Sequence, residues 1–137
     1  MPVTPNSIIT PQTPKGWTCV TTTGSSDIDD DPSSTALLLT AGANGSRVTG
    51  LRSIPRATIS AMALHLFLSL DGGTTKRLIR GATIPADTVS TTDAPVAFDW
   101  GLSDEMPLVL PAGALLYLSQ GVTLAAGIAH HAEGADY

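Results

Sequence analysis

Alternating apolar and polar side chains on both sides of a glycine-rich turn form the clearest pattern in this chain. Over residues 61–70 every second position is apolar: Met62, Leu64, Leu66, Leu68 and Leu70. A period of two is typical of a half-buried β-strand, because successive side chains point to opposite faces of the sheet. The turn 71–74 (DGGT) follows, and a second strand pattern begins at Lys76. Glycine readily adopts the positive φ of a tight turn, so this stretch predicts a β-hairpin.

Shorter strand patterns continue through the rest of the chain, separated by turn-forming residues. The predicted strands cover residues 17–23, 36–40, 47–54, 58–70, 76–84, 96–101, 108–110, 115–118 and 122–131. We find no helical pattern longer than one turn. Eight or nine short strands are typical of a barrel or a two-sheet sandwich. We therefore predict an all-β, single-domain β-sandwich of jelly-roll or Greek-key type.

The first sixteen residues have a different character from the rest of the chain. Four prolines in this stretch disfavour a helix or a central strand. Aliphatic residues lie among them, which favours an arm lying along a surface, although a disordered terminus remains the alternative. We therefore predict an extended N-terminal arm over residues 1–16 and a β-sandwich domain over 17–137. The expected partner-binding residues are Pro2, Val3, Pro5, Ile8, Ile9, Pro11 and Pro14.

Composition and charge narrow the classes of partner. The chain has 137 residues, enough for one domain with its own core, and only 14% of them are charged, below the usual quarter. So little charge is typical of a surface partly covered by a protein partner, or of a solvated surface rich in Ser and Thr. The net charge of −5 argues against nucleic-acid binding. No stretch is apolar for about 20 residues, and no signal peptide is visible, so we expect no membrane partner and synthesis in a cytoplasm.

The sequence offers no convincing catalytic constellation. Cys19 is the single cysteine, and its apolar neighbours favour a small buried side chain over a reactive thiol. No Gly-x-Ser-x-Gly turn is present to expose a nucleophile. The closest pair of acids that could serve a glycosidase, Asp104 and Glu105, are neighbours in a predicted loop. We therefore expect no catalytic residues and no enzyme.

Two clusters could in principle hold a metal ion. Four carboxylates lie at positions 27, 29, 30 and 31, where an exposed loop is the simpler interpretation and a calcium site is the alternative. His130 and His131 precede Glu133 and Asp136, but neighbouring residues of a strand point to opposite faces. Only His131 and Glu133 could share a face, so we expect an ordinary strand end, and no metal or cofactor at either cluster.

Several short segments resemble small structural proteins encoded by tailed bacteriophages and prophages. The segments lie within residues 35–137 and read LTAGANGSRV (39–48), IPRAT (54–58), LDGGTTKRLI (70–79), PLVLPAG (107–113) and AEGADY (132–137). Proteins of this kind are often capsid decoration, or cement, proteins or other accessory components of the head or neck. They typically form trimers or larger rings on the shell.

The resemblance implies a bacteriophage virion structural protein, made in the host cytoplasm and carried in the virion. Its implied partners are the major capsid protein or another virion protein, together with further copies of itself in a trimer. The resemblance supplies no catalytic residues. The alternative is a carbohydrate- or receptor-binding β-sandwich of a tail or neck fibre, which would need exposed aromatic rings, Tyr137 being the best candidate.

Overall fold

The computed structural model describes residues 10–137, which form nine strands and no helix. The strands are β1 (Thr13–Thr21), β2 (Ala36–Thr40), β3 (Ser46–Pro55), β4 (Met62–Ser69), β5 (Arg77–Ile84), β6 (Phe98–Asp99), β7 (Leu108–Leu110), β8 (Leu115–Gln120) and β9 (Ile128–Asp136). They build two antiparallel sheets. The five-stranded sheet has the order β1-β9-β3-β6, with β7 also paired to β3, and the four-stranded sheet has the order β2-β8-β4-β5. The predicted all-β class is confirmed.

Apolar side chains from both sheets meet in one buried cluster. Val48 and Ile128 come from the five-stranded sheet, and Leu64 and Leu116 come from the four-stranded sheet; all four are fully buried. Each lies in a strand whose neighbouring positions are less buried, so the period of two seen in the sequence reflects real burial. Two antiparallel sheets that share one core are the arrangement of a β-sandwich.

The strands of both sheets end at the same two places, and these ends differ in their connections. At the hairpin end lie the turns 41–45, 70–76 and 111–114, together with the entry of the chain into β1. At the loop end lie the connections 22–35, 56–61, 85–97 and 121–127. The long alternating pattern around the turn 71–74 does form a hairpin, because β4 and β5 pair directly on either side of it.

The first strand begins earlier than its sequence pattern suggests. β1 starts at Thr13 instead of residue 17, and Pro14 pairs in register with Ala135 of β9. The proline is tolerated because β1 is an edge strand, which leaves one side of its backbone without a ladder. Residues 13–16 of the predicted arm are therefore part of the sheet. Pro11 is exposed just before it, and the predicted binding residues Pro2, Val3, Pro5, Ile8 and Ile9 lie outside the described residues.

The last strand is shifted toward the C-terminus relative to the prediction of 122–131. β9 covers Ile128–Asp136, and the residues before it form a turn in which the Gly127 N–H donates to the Leu124 carbonyl at 2.9 Å. Gly134, which looks like a strand terminator in the sequence, lies inside β9 opposite a bulge of β3. A Cβ atom at this position would lie 1.9 Å from the Arg47 carbonyl oxygen, so only glycine allows the two strands to approach so closely.

Candidate functional site

The most organised group of polar side chains is buried near the loop end, between the two sheets. His130 of β9 is 1% exposed and has a partner on each ring nitrogen. Its Nδ1 lies 2.7 Å from Ser53 Oγ of β3, and its Nε2 lies 2.9 Å from Thr21 Oγ1 of β1. Trp100 Nε1 donates to Ser53 Oγ at 2.8 Å, and Thr21 Oγ1 donates to Gln120 Oε1 of β8 at 2.6 Å. We call these five residues the His130 network.

The donors and acceptors of the His130 network fix the position of each proton. Thr21 has one hydroxyl hydrogen, which goes to Gln120, so His130 Nε2 must carry the hydrogen that it shares with Thr21. Ser53 receives the indole hydrogen of Trp100 and can give its own hydrogen to the bare Nδ1. The ring is thus neutral, with its hydrogen on Nε2. Each side chain of the network thus donates to the next one, in a chain that runs from Trp100 to Gln120.

Burial keeps the ionisable groups of this region uncharged. Desolvation lowers the pKa of His130 to about 4, so the imidazole is neutral at pH 7. Cys19 of β1 pairs in register with His130, and burial raises the pKa of its thiol to about 12. A thiol of this kind is a poor nucleophile, because the reactive thiolate is disfavoured.

Ser53 and His130 have the geometry of a nucleophile and a base, yet their surroundings differ from those of a hydrolase. Both side chains are buried in the core, so no substrate reaches Ser53 Oγ. The second ring nitrogen faces the Thr21 hydroxyl, whereas a catalytic triad places a carboxylate there to stabilise the imidazolium. The arrangement therefore acts as a polar connection between strands of both sheets.

Sequence reasoning found His130 but missed its partners. Thr21, Ser53 and Gln120 lie 109, 77 and 10 positions from His130 along the chain, and only the folded topology brings them together. A signal was nevertheless present: Thr21 and Ser53 are polar residues that lie two positions after an inward apolar residue, Cys19 and Leu51 respectively.

The second histidine and its neighbouring acid lie on the outer face of the five-stranded sheet. His131 and Glu133 are exposed, and Arg52 Nη1 lies 3.8 Å from Glu133 Oε1. Asp136 is at the hairpin end, where Ser46 Oγ donates to it and Lys15 Nζ lies 3.7 Å from its Oδ2. The prediction that His130 and His131 point to opposite faces is confirmed. Among residues 10–137, no three His, Cys, Asp or Glu side chains are grouped as metal ligands would be.

The aspartate-rich connection between β1 and β2, residues 22–35, crosses the outer face of the four-stranded sheet; we call it the acidic loop. At the loop end the Ser25 N–H donates to the Gln120 carbonyl at 2.8 Å. Toward the hairpin end the Lys76 N–H donates to the Asp30 carbonyl at 2.8 Å. Lys76 Nζ also reaches Thr35 Oγ1 and lies 4.6 Å from the ring centroid of Tyr117. The loop is thus attached at both ends of the sheet.

Asp30 carries the one ion pair of the acidic loop within the described residues. Its carboxylate accepts from Arg77 Nε at 3.1 Å and from Nη2 at 2.9 Å. This hydrogen bonding lowers the pKa of Asp30. The carboxylates of Asp27 and Asp29 instead accept the N–H groups two residues further on, which folds the loop into successive Asx turns. The predicted exposed loop is observed at Asp29, Asp30 and Asp31, whereas Asp27 is half-buried.

The hairpin end exposes large aliphatic side chains. Leu70 is 68% exposed, Met106 67% and Val109 58%. Leu70 borders a groove of about 370 Å³ beside the edge strand β5, whose walls are formed by Leu68, Leu70, Asp71, Thr75, Arg77 and Ile79. The groove is largely apolar, with one acid and one base on its rim. This end therefore has the apolar surface that a protein contact requires.

Residues 10–137 hold no helix of the length and hydrophobicity needed to cross a bilayer. Comparison of the whole chain with protein-family models gives no match, and searches of curated proteins and of solved structures also give no match.

Proposed function

We propose that this protein is a bacteriophage virion structural protein, specifically a capsid decoration protein that stabilises the head shell through protein–protein contacts. In this proposal its partners are the major capsid protein or another virion protein, and its own copies assemble as a trimer. It is made in the bacterial cytoplasm and carried in the virion. It needs no cofactor and performs no catalysis.

The observation that carries the proposal is the apolar surface of the hairpin end. Leu70 and Val109 are more than half exposed at the end of the body where the chain enters β1. The predicted arm therefore joins the body at the same end as these exposed side chains. Exposed aliphatic side chains at one end of a protein favour a contact surface there, and the low content of charged residues favours the same interpretation.

We also propose that the body is a jelly roll. In that fold one sheet takes the first, eighth, third and sixth of eight strands, and the other takes the second, seventh, fourth and fifth. The orders β1-β9-β3-β6 and β2-β8-β4-β5 match this arrangement if β6 and β7 together count as the sixth strand. Both β6 and β7 pair with the same side of β3, which supports counting them together.

The carbohydrate-binding alternative finds no comparable support. All six aromatic residues lie within residues 10–137, and each of them is buried or half-buried. Tyr137, the ring expected to be most exposed, is half-buried, and Tyr117 is occupied by Lys76. A sugar platform would need an accessible ring face.

Binding to stripped virus particles tests the proposed function. Particles that have lost the protein should rupture at lower temperature, and the added wild-type protein should restore their stability. The double variant L70S/V109S should bind at least about tenfold more weakly, because it removes exposed apolar contacts. V96S is the matched control, since Val96 is also 68% exposed but lies in the connection 85–97 at the loop end.

A second variant examines the arm separately. Deleting residues 2–11 removes the predicted binding residues that precede β1 and leaves the strands intact. We expect the shortened protein to fold, as judged by a β-type circular dichroism spectrum, and to lose particle association. Wild-type binding by both variants would contradict the proposal.

A further inference from the structure

The His130 network has no spare acceptor for the second hydrogen of a protonated ring. A protonated imidazole carries a hydrogen on both nitrogens and needs two acceptors. Nε2 already donates to Thr21, but a hydrogen on Nδ1 would point at Ser53 Oγ, 2.7 Å away, where the serine hydrogen now lies. Ser53 would have to turn that hydrogen away while buried in the core, and the described contacts give it no second acceptor.

No countercharge faces His130 from the strands packed against it. On β1 the titratable group opposite His130 is the neutral thiol of Cys19, while Lys15 on the same face pairs with Asp136 at the hairpin end, and β2 carries no titratable group. Arg47 and Arg52 of β3 alternate with buried residues and point to the opposite face of the sheet. On β8, Tyr117 alternates with Leu116 and Leu118 and points to the opposite face of its own sheet. His130 is the one ionisable side chain among the buried polar residues of 10–137. A proton on His130 would therefore be an unpaired charge in the core, which is highly unfavourable.

The network is attached to the acidic loop through Gln120. While Gln120 Oε1 accepts from Thr21, its Nε2 donates to the carbonyls of Thr22 and Val122 at 3.2 and 2.8 Å. The backbone carbonyl of Gln120 holds the Ser25 N–H. The orientation of the Gln120 side chain, set by Thr21 and therefore by His130, holds the first residue of the acidic loop at the Thr22 carbonyl, and Ser25 is bonded to the backbone of the same glutamine.

We propose that His130 is an acid-sensitive latch that holds the acidic loop at the loop end of the sandwich. The neutral ring keeps Thr21 and Gln120 in line across the two sheets. When protonated, the ring leaves its site for water, Gln120 loses its partner, and the loop detaches at Thr22 and Ser25. This device does not depend on the proposed virion function.

The opening is local, because the hairpin end has hydrogen bonds of its own. There the Tyr137 N–H donates to the Gly45 carbonyl at 3.1 Å and the Ala41 N–H donates to the Ala114 carbonyl at 2.7 Å. Neither bond involves a residue of the His130 network. Amide exchange at the loop end can therefore be compared with amide exchange at the hairpin end of the same protein as the reference.

Nuclear magnetic resonance of the intact chain tests the latch. At pH 7, nitrogen shifts should show the hydrogen of His130 on Nε2. Between pH 7 and pH 4, the indole signal of Trp100 should move with the titration of His130. Over the same range the exchange protection of the Ser25 amide should fall about tenfold, while that of Tyr137 stays constant. A hydrogen on Nδ1 at pH 7, or equal loss of protection at both ends, would overturn the proposal.

Three variants separate the latch from general acid sensitivity. H131Q, which changes the exposed neighbouring histidine, should open like the wild type. H130Q has no group to protonate and should keep the Ser25 amide protected at pH 4. T21V removes the link to Gln120 and should expose the Ser25 amide already at pH 7, which provides a test even if H130Q does not fold. Unchanged Ser25 protection in a folded T21V protein would refute the coupling.

Discussion

The two ends of the sandwich differ in the side chains that they bury and expose. At the loop end, polar side chains are taken into the core and every one of them is paired, so that His130 is 1% exposed and neutral. At the hairpin end, apolar side chains such as Leu70 are left in water. The first arrangement contributes to the unfolding free energy of the isolated chain, while the second contributes little to it. The difference shows that burial of an ionisable side chain at the loop end goes with full hydrogen bonding, whereas the exposed apolar side chains of the hairpin end agree with the contact surface that we propose there.

The largest change in unfolding free energy is expected when the Ser53 hydroxyl, the central hydroxyl of the His130 network, is removed. S53A leaves Trp100 Nε1–H and His130 Nδ1 buried without partners, so we expect a loss of about 2–4 kcal/mol in unfolding free energy. The counterpart at the hairpin end is S69A, whose partners are the half-buried N–H of Gly73 and the exposed carboxylate of Asp71, both in the turn 70–76. Its cost should be about 1 kcal/mol. Urea denaturation at pH 7 measures both, and equal losses would erase the distinction.

The second-largest loss of unfolding free energy is expected on acidification. The pKa of His130 is about 4 in the folded chain, below the 6.5 of a free histidine, so the unfolded chain takes up the proton first. The stabilisation is complete above pH 6.5 and is lost as the pH falls toward 4, and the loss at pH 4.5 should be about 2–3 kcal/mol. Urea midpoints at pH 7.5 and 4.5 measure it.

Three other groups must be separated from this acid effect. Burial also lowers the pKa of His65, so H65Q should retain most of the loss between pH 7.5 and 4.5 if His130 dominates. Hydrogen bonds lower the pKa of Asp30 and Asp71, so the stabilisation from these carboxylates is lost only as the pH falls below about 4. A flat profile between pH 7.5 and 4.5 would show that His130 is not held neutral.

A smaller effect is expected where the acidic loop meets the hairpin. D30N removes the charge that pairs with Arg77 at an exposed site, so the melting temperature should fall only slightly. The fall should vanish in 1 M salt, which screens such pairs. The Lys76 amide, bonded to the Asp30 carbonyl, should exchange faster in the variant. D29N is the control, because Asp29 accepts only a local backbone N–H. A fall in melting temperature that persists in 1 M salt would show that D30N acts through packing and not through the loss of charge.

The smallest effect belongs to the exposed aliphatic side chains. L70S/V109S should unfold within about 0.5 kcal/mol of the wild type, because neither side chain belongs to the core cluster. Thermal or urea unfolding of the same preparation used for particle binding supplies the measurement. A large destabilisation would mean that the hairpin end is part of the folding core, and that its exposure is no guide to partners.

Local features of the fold could be predicted from the sequence, while long-range ones could not. β2 and β7 have the predicted bounds, and the turn 71–74 joins β4 to β5, because these features depend on residues close together in the chain. The sequence pattern places β1 and β9 several residues away from their observed bounds. Pro14 and Gly134 look like terminators, yet the edge position of one and the bulge opposite the other make them compatible with a strand.

The same distinction between local and long-range features applies to the His130 network. The opposite orientations of His130 and His131 result from strand geometry alone, so they could be predicted. The partners Thr21 and Ser53 could not, because the pairing of β9 with both β1 and β3 is a property of the whole topology. The course of the acidic loop over the four-stranded sheet likewise depends on Lys76, more than forty positions away along the chain.

The two extremities of the described chain meet side by side. The Gln12 N–H donates to the Asp136 carbonyl at 2.7 Å, and the Tyr137 N–H donates to the Gly45 carbonyl. A reporter fused after Tyr137 would therefore emerge at the hairpin end, over the surface that we propose for the partner. A tag inserted in the exposed connection 91–95 would leave that surface clear, and it is the better site for displaying cargo.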